Sequence, residues 1–163
     1  MNRILSSVAL AFICLFPVYG QMAWNAKYQN YFNQYKDLAI EQMLKYRIPA
    51  SITLAQGVFE SGAGYSDLAR NGNNHFGIKC HGWQGRKTYH DDDARNECFR
   101  AYDSPGQSYE DHSKFLVQSQ RYRRLFSLKI TDYKGWAHGL KACGYATNPA
   151  YAKKLIDIIE LYK

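Results

Sequence analysis

The sequence predicts an α+β protein with a mostly helical body and one small antiparallel β-hairpin lobe. Apolar residues recur at helical spacing near both ends of the chain, over residues 24–46 and 149–162. Between them lie three short segments typical of strands, separated by a glycine-containing loop and a turn. This order indicates a helical domain with a small sheet inserted after its second helix.

The first 20 residues read as a leader. Arg3 gives a short basic start, residues 4–16 are mostly apolar, and Val18 and Gly20 fit the small-residue rule for cleavage. The apolar run is shorter than the roughly 20 residues that span a bilayer. We therefore predict a signal peptide over 1–20, one domain over 21–163 and export to the periplasm or beyond; an uncleaved anchor is the alternative.

The charge balance narrows the class of partner. A net charge of +7 favours attraction to polyanions. In an exported protein this means cell-wall polymers or membrane surfaces before nucleic acid, and no nucleic-acid motif is present. The five histidines form no HExxH pattern, so the sequence does not support a metallopeptidase.

The individual helices follow from spacing and from start and stop signals. The first ends before Pro49, which fits the first position of the second helix, and residues 104–107 resemble a capping box. Further helices are predicted over 66–70, 105–119, 122–128, 132–143 and 149–162, and strands over 75–80, 86–91 and 97–102.

The second helix carries the most informative carboxylate. Glu60 falls in or next to its last turn, because Gly62 and Gly64 supply stop signals directly afterwards. Burial beside Phe59 and the partial negative charge of a helix C-terminus both favour the protonated acid. Glu60 is therefore a candidate general acid, and an ordinary solvated glutamate at a helix end is the alternative.

Three cysteines lie outside the predicted leader, and an oxidising compartment favours a disulfide between two of them. Cys80 and Cys98 flank the predicted hairpin, so we predict that they pair and leave Cys143 as a buried thiol. A zinc site built from Cys80, His81, His90 and Cys98 is the alternative, but it lacks a recognised ligand spacing. We expect no metal and no organic cofactor.

Four segments together resemble the glucosaminidase family of peptidoglycan hydrolases, which includes flagellar wall-digesting enzymes and autolysins. They are LAQGVFESGAG, NNHFGIKC, CFRAYDS and GYATNPAYAKKL, in that order along most of the chain after the leader. The resemblance implies a lysozyme-like fold and identifies Glu60 with the family's general acid. It also implies peptidoglycan glycan strands as the substrate.

A glycosidase usually needs a second carboxylate opposite its acid. The family carries one in the β-lobe, where this chain has Asp91, Asp92 and Asp93. We favour Asp92, then Asp91. The hairpin looks shorter than in many relatives and carries Asp where they often carry Glu, so a solvated hairpin tip and assistance by the acetamido group of the substrate stay open.

Aromatic and amide side chains are the candidates for holding the sugar, because flat rings pack against sugar faces. The resemblance places Tyr145 of GYATNP in the cleft beside the acid. Asn74, Phe76 and Trp83 lie in or near the predicted β-lobe and are further candidates. Loop packing is the alternative for Tyr145, and a core position is the alternative for Phe76.

The resulting expectation is an exported endo-β-N-acetylglucosaminidase that hydrolyses peptidoglycan glycan strands with Glu60 as the acid. A muramidase or lytic transglycosylase on the same scaffold is one alternative. An inactive wall-binding module is another, against which the retention of both Glu60 and Tyr145 argues.

Overall fold

The computed structural model describes residues 22–92 and 94–162 and has the predicted α+β architecture. The predicted leader and Asp93 lie outside the described residues. The helices are α1 Ala26–Tyr46, α2 Ala50–Ser61, α3 Asp67–Gly72, α4 Pro105–Gln118, a 3-10 helix Gln120–Ser127, α5 Tyr133–Ala142 and α6 Tyr151–Tyr162, and the strands are β1 Lys87–His90 and β2 Glu97–Arg100.

Helix α2 lies at the centre of the helical body. Its residues from Ile52 to Val58 are buried, and it packs against α1, α5 and α6. Removing this mostly apolar surface from water is the main stabilising contribution to the fold. The end of α2, which carries Glu60, is therefore held by the core.

The two strands form an antiparallel hairpin in which Thr88 pairs with Phe99 and His90 pairs with Glu97. The predicted pairing of Cys80 with Cys98 is present, with 5.5 Å between the two Cα atoms. This disulfide ties the segment before the hairpin to β2. Cys143 is a free thiol. It is half-buried, whereas the sequence predicted a buried thiol.

The predicted strand over 75–80 is wrong. Only Lys79 forms a bridge, to Phe99. Gly77 adopts a left-handed conformation with φ of 62°, and the Asn74 side chain closes the resulting turn through hydrogen bonds with both the N–H and the C=O of Ile78. A turn stabilised by an asparagine amide competes with a regular strand.

The remaining elements agree with the sequence to within a few residues. Helix α4 begins at Pro105 as predicted, with the Ser104 hydroxyl accepting a hydrogen bond from the N–H of Gln107. The helix predicted over 122–128 is a 3-10 helix, Gln120–Ser127. None of the helices in residues 22–92 and 94–162 combines the length and the apolar character needed to cross a bilayer.

Candidate active site

A cleft of about 420 Å³ lies between the hairpin lobe and the helical body. Its walls come from the end of α2, the turn before the hairpin, the hairpin itself, α4 and the loop that precedes α6. The lining residues are Glu60, Ser66, Leu68, Phe76, Gly77, Ile78, Lys79, His81, His90, Asp92, Phe99, Phe115, Tyr145 and Ala146.

Glu60 lies in this cleft at the last turn of α2, and the C-cap residue Gly62 adopts the left-handed conformation with φ of 57°. Burial raises the pKa of Glu60 from 4.5 to about 7, and the charge of Asp92 adds a smaller rise. Within the described part of the chain, Oε1 of Glu60 is buried and has no hydrogen-bond partner. A carboxyl with a pKa near 7 is still partly protonated at neutral pH, which is a requirement for a general acid.

The hydroxyl of Tyr151 at the start of α6 contacts the Glu60 carboxyl. Its hydrogen bond favours the ionised form and lowers the pKa of Glu60, although burial outweighs it. The amide of Gln56 donates a hydrogen bond of 2.9 Å to the same hydroxyl. Because Gln56 lies one turn before Glu60 on α2, this pair fixes α6 against the end of the helix.

Asp92 lies in the cleft on the hairpin side, where Nζ of Lys79 is 3.5 Å from its carboxylate. The same Nζ is 3.0 Å from both carboxylate oxygens of Glu97. Asp91 is not among the residues that line the cleft; its carboxylate accepts a hydrogen bond of 2.7 Å from the N–H of Asn96 across the hairpin turn. Of the two described aspartates, Asp92 lines the cleft with Glu60 and Asp91 does not, so Asp92 stays the favoured candidate for the second carboxylate.

Two of the predicted sugar-contacting aromatic residues line the cleft. The ring of Tyr145 stacks on Tyr151, with ring centres 5.6 Å apart. Phe76 is 4% exposed and stacks on the His112 ring at 3.9 Å. Burial lowers the pKa of His112 to about 3, so a neutral ring supports this wall of the cleft.

The other two predicted sugar-contacting residues do not line the cleft. Asn74 is 1% exposed, and its amide donates to the carbonyls of Ile78 and Arg100. Trp83 packs against Tyr102 with ring centres 5.8 Å apart and donates its indole N–H to the carbonyl of Arg86. In this structure Asn74 and Trp83 stabilise the hairpin lobe.

Residues 22–92 and 94–162 contain no cluster of three metal-ligating side chains. The zinc set considered from the sequence loses two of its four ligands, because Cys80 and Cys98 form a disulfide.

Comparison with known proteins decides the family. Residues 36–163 match the glucosaminidase family, described as mannosyl-glycoprotein endo-beta-N-acetylglucosaminidase. The chain belongs to the glucosaminidase family. The family predicted from the four sequence segments is therefore confirmed.

Individual glucosaminidase relatives agree in sequence and in fold. The chain is 34% identical over 130 residues to the exo-glucosaminidase LytG of Bacillus subtilis, covering 72% of this chain and 45% of the relative. It is 33% identical over 138 residues to the peptidoglycan hydrolase FlgJ of Vibrio cholerae, covering 71% and 40%. The chain thus spans less than half the length of these curated relatives.

Solved structures give the same result. A peptidoglycan hydrolase from Sphingomonas sp. A1 superposes with a TM-score of 0.70 at 31% identity, covering 80% of this chain and 86% of the other. The glycoside hydrolase domain of Salmonella typhimurium FlgJ gives 0.69 at 28% identity, covering 82% and 87%. The predicted lysozyme-like fold is confirmed.

A buried network of tyrosine and histidine rings packs against helix α2. The hydroxyl of Tyr109 donates to that of Tyr31 at 2.9 Å, and the Tyr31 hydroxyl is 3.0 Å from Nδ1 of His75. Gly57 allows this approach, because a Cβ at that position would collide with the Tyr31 hydroxyl. The network connects α1, α2 and α4 beneath the turn that carries Glu60.

Several residues of the candidate site were not predicted from the sequence. Lys79 and Tyr151 lie inside two of the recognised segments, NNHFGIKC and GYATNPAYAKKL, but had no assigned role. Both residues are distant from Glu60 in sequence. Their contacts depend on the packing of α6 and of the hairpin, so local patterns do not predict them. Among the other lining residues, His81 and His90 were considered only as zinc ligands, and Phe115 was not singled out.

Proposed function

We propose that this protein hydrolyses the glycan strands of peptidoglycan as an endo-β-N-acetylglucosaminidase, with Glu60 as the general acid. The observation that carries the proposal is the position of Glu60, a carboxyl in the wall of the cleft with one buried oxygen, where burial raises its pKa to about 7. A partly buried acid in a cleft lined by aromatic rings and one further carboxylate matches what a glycosidase needs. The names of the relatives add support, since they include a glucosaminidase and peptidoglycan hydrolases.

The reaction begins when Glu60 transfers its proton to the glycosidic oxygen while the bond from that oxygen to the anomeric carbon breaks. Positive charge then develops on the sugar ring. Asp92, which lines the same cleft and contacts Lys79, stabilises this charge. Water adds to the anomeric carbon and loses a proton, which restores the acid and completes the hydrolysis.

We propose Tyr145 and Phe76 as the rings that contact the sugar, because both line the cleft that contains Glu60. Tyr145 also stacks on Tyr151, the residue that bonds the acid. A sugar on this ring would lie next to the proton donor. The binding of sugar faces to aromatic rings is common in such clefts.

Digestion of purified sacculi tests the proposal, with mass spectrometry of the released products. We expect products with N-acetylglucosamine at the reducing end, released from within the strands, and no release by Glu60→Gln. Reducing-end muramic acid would assign a muramidase, and an anhydro sugar would assign a lytic transglycosylase. Release only from strand ends would indicate an exo-acting enzyme, which is the activity stated in the name of the relative LytG.

Two comparisons sharpen this test. Asp92→Asn should lose most activity if its carboxylate stabilises the transition state, whereas full activity would favour assistance by the substrate's acetamido group. Binding of sacculi without turnover by the wild type would indicate a wall-binding module.

For the location of the protein we propose export. Fusion of residues 1–20 to an alkaline phosphatase reporter would test this proposal.

A further inference from the structure

A second depression adjoins the cleft on the side of the hairpin. It measures about 220 Å³ and is lined by Arg100, Asp111, Phe115, Gln118 and Ser119. This is smaller than the roughly 300–1,000 Å³ of an independent ligand pocket. However, Phe115 lines both the depression and the main cleft, so the two cavities share this residue on α4.

The guanidinium of Arg100 is fixed in this depression by several contacts. Nη1 donates to both carboxylate oxygens of Asp111 at 3.0 and 2.8 Å, and Nε donates to the carbonyl of Lys79 at 3.2 Å. The hydroxyl of Tyr102 donates to Asp111 at 2.6 Å, and the Trp83 ring lies 4.9 Å from Cζ. Within the described residues Nη2 makes no hydrogen bond, which leaves its donors for a ligand.

The charges and groups around Arg100 indicate the kind of ligand. Arg100 and Asp111 neutralise each other, so the depression favours a neutral ligand over an anion. Gln118 and Ser119 add an amide and a hydroxyl that make no side-chain hydrogen bond within the described part of the chain, and Phe115 adds an aromatic ring. An N-acetylated sugar fits these groups, because its hydroxyl and acetamido oxygens are neutral and its ring can pack against an aromatic side chain.

We infer that this depression binds one further N-acetylated sugar of the glycan strand, adjacent to the sugars held over Glu60. The inference rests on the proposed function for the identity of the polymer. The strand would follow Phe115 from the main cleft toward Arg100. The protein would then bind a longer stretch of glycan than the main cleft alone accommodates.

The test measures binding of peptide-free peptidoglycan oligosaccharides, from a disaccharide upward, to protein carrying Glu60→Gln, which does not consume them. We expect affinity to rise at the length that reaches the depression. Adding Gln118→Ala should weaken binding of those longer oligosaccharides by about 2- to 10-fold, as expected for one hydrogen bond. Shorter oligosaccharides should bind unchanged. Gln120→Ala, an exposed glutamine outside the depression, is the matched control.

Equal weakening at every length, or no weakening beyond that of Gln120→Ala, overturns the inference. An effect of Gln118→Ala on peptide-bearing but not peptide-free glycan also overturns it, because the depression would then hold peptide. Turnover by the wild type separates the two proposals. If binding depends on length but the wild type cleaves nothing, the sugar site in the depression is supported and the proposed function is refuted. If the wild type cleaves the glycan but affinity does not rise with length, the proposed function is supported and the sugar site is refuted.

Discussion

Replacing Glu60 by glutamine should stabilise the protein at alkaline pH and much less at acidic pH. Near pH 4 the Glu60 carboxyl is protonated in both the folded and the unfolded chain. Above about pH 7 it is ionised in both, and the folded protein then carries a poorly solvated charge. The stability associated with the protonated acid is therefore lost as pH rises from about 4.5 to about 7.

The pKa fixes the size of the effect. A rise from 4.5 to about 7 corresponds to about 3 kcal/mol, at about 1.36 kcal/mol for each pH unit. The side chain is only partly buried, so solvent in the cleft reduces this to about 2–3 kcal/mol. For a chain of this size, that is roughly 4–12 °C in melting temperature.

Urea denaturation of the wild type and of Glu60→Gln at about pH 4 and about pH 8.5 measures the difference. We expect the gain in unfolding free energy from Glu60→Gln to be about 2–3 kcal/mol larger at the higher pH. Glu41→Gln, on the exposed side of α1, controls for removal of a surface carboxylate. A gain from Glu60→Gln that stays constant with pH would refute the desolvation argument and remove the basis for a neutral-pH acid.

Three further variants probe the groups around the acid. Tyr151→Phe removes the hydrogen bond that lowers the pKa of the acid, so the alkaline limb of the rate profile should move to higher pH; an unchanged limb would contradict the contact. Lys79→Met frees Asp92 and should lower kcat about tenfold with little change in KM, with partial rescue by Lys79→Arg; a change in KM alone would show a role in binding. Replacing Cys80 and Cys98 together by serine opens a loop with a sequence separation of 18 and should cost about 3 kcal/mol of unfolding free energy, seen as a lower urea midpoint.

The sequence predicted the parts of the fold that depend on local signals. Helix α4 begins at Pro105 because a serine cap and a proline act within one turn. Helix α2 ends at Ser61 because the next residue, Gly62, accepts the left-handed conformation of a C-cap. The strand predicted over 75–80 is wrong because Asn74 and Gly77 form a local turn, closed by hydrogen bonds between the Asn74 side chain and Ile78. The Asn74 amide also donates to the carbonyl of Arg100, a distant contact that local patterns do not indicate.

The candidate site divides in the same way. Glu60 was predicted from its place before two helix-ending glycines and Tyr145 from a segment with family resemblance, and both line the cleft. Asn74 lies in such a segment too, yet its amide bonds the backbone and is closed to a ligand. Sequence alone cannot separate a residue that matters for the shape of the lobe from one that contacts the substrate, because both occur in the same motif.

The acidity of Glu60 is set mainly by packing and only secondarily by its charged neighbour. Burial is the largest cause of the raised pKa, whereas the charge of Asp92 contributes less. We therefore expect the rings that line the cleft, Phe76 stacked on His112 and Tyr145 stacked on Tyr151, to influence this pKa in addition to the sugar binding proposed for them. A variant that lets water into the cleft without touching a carboxylate should shift the rate profile toward acidic pH, because the acid would lose its proton earlier.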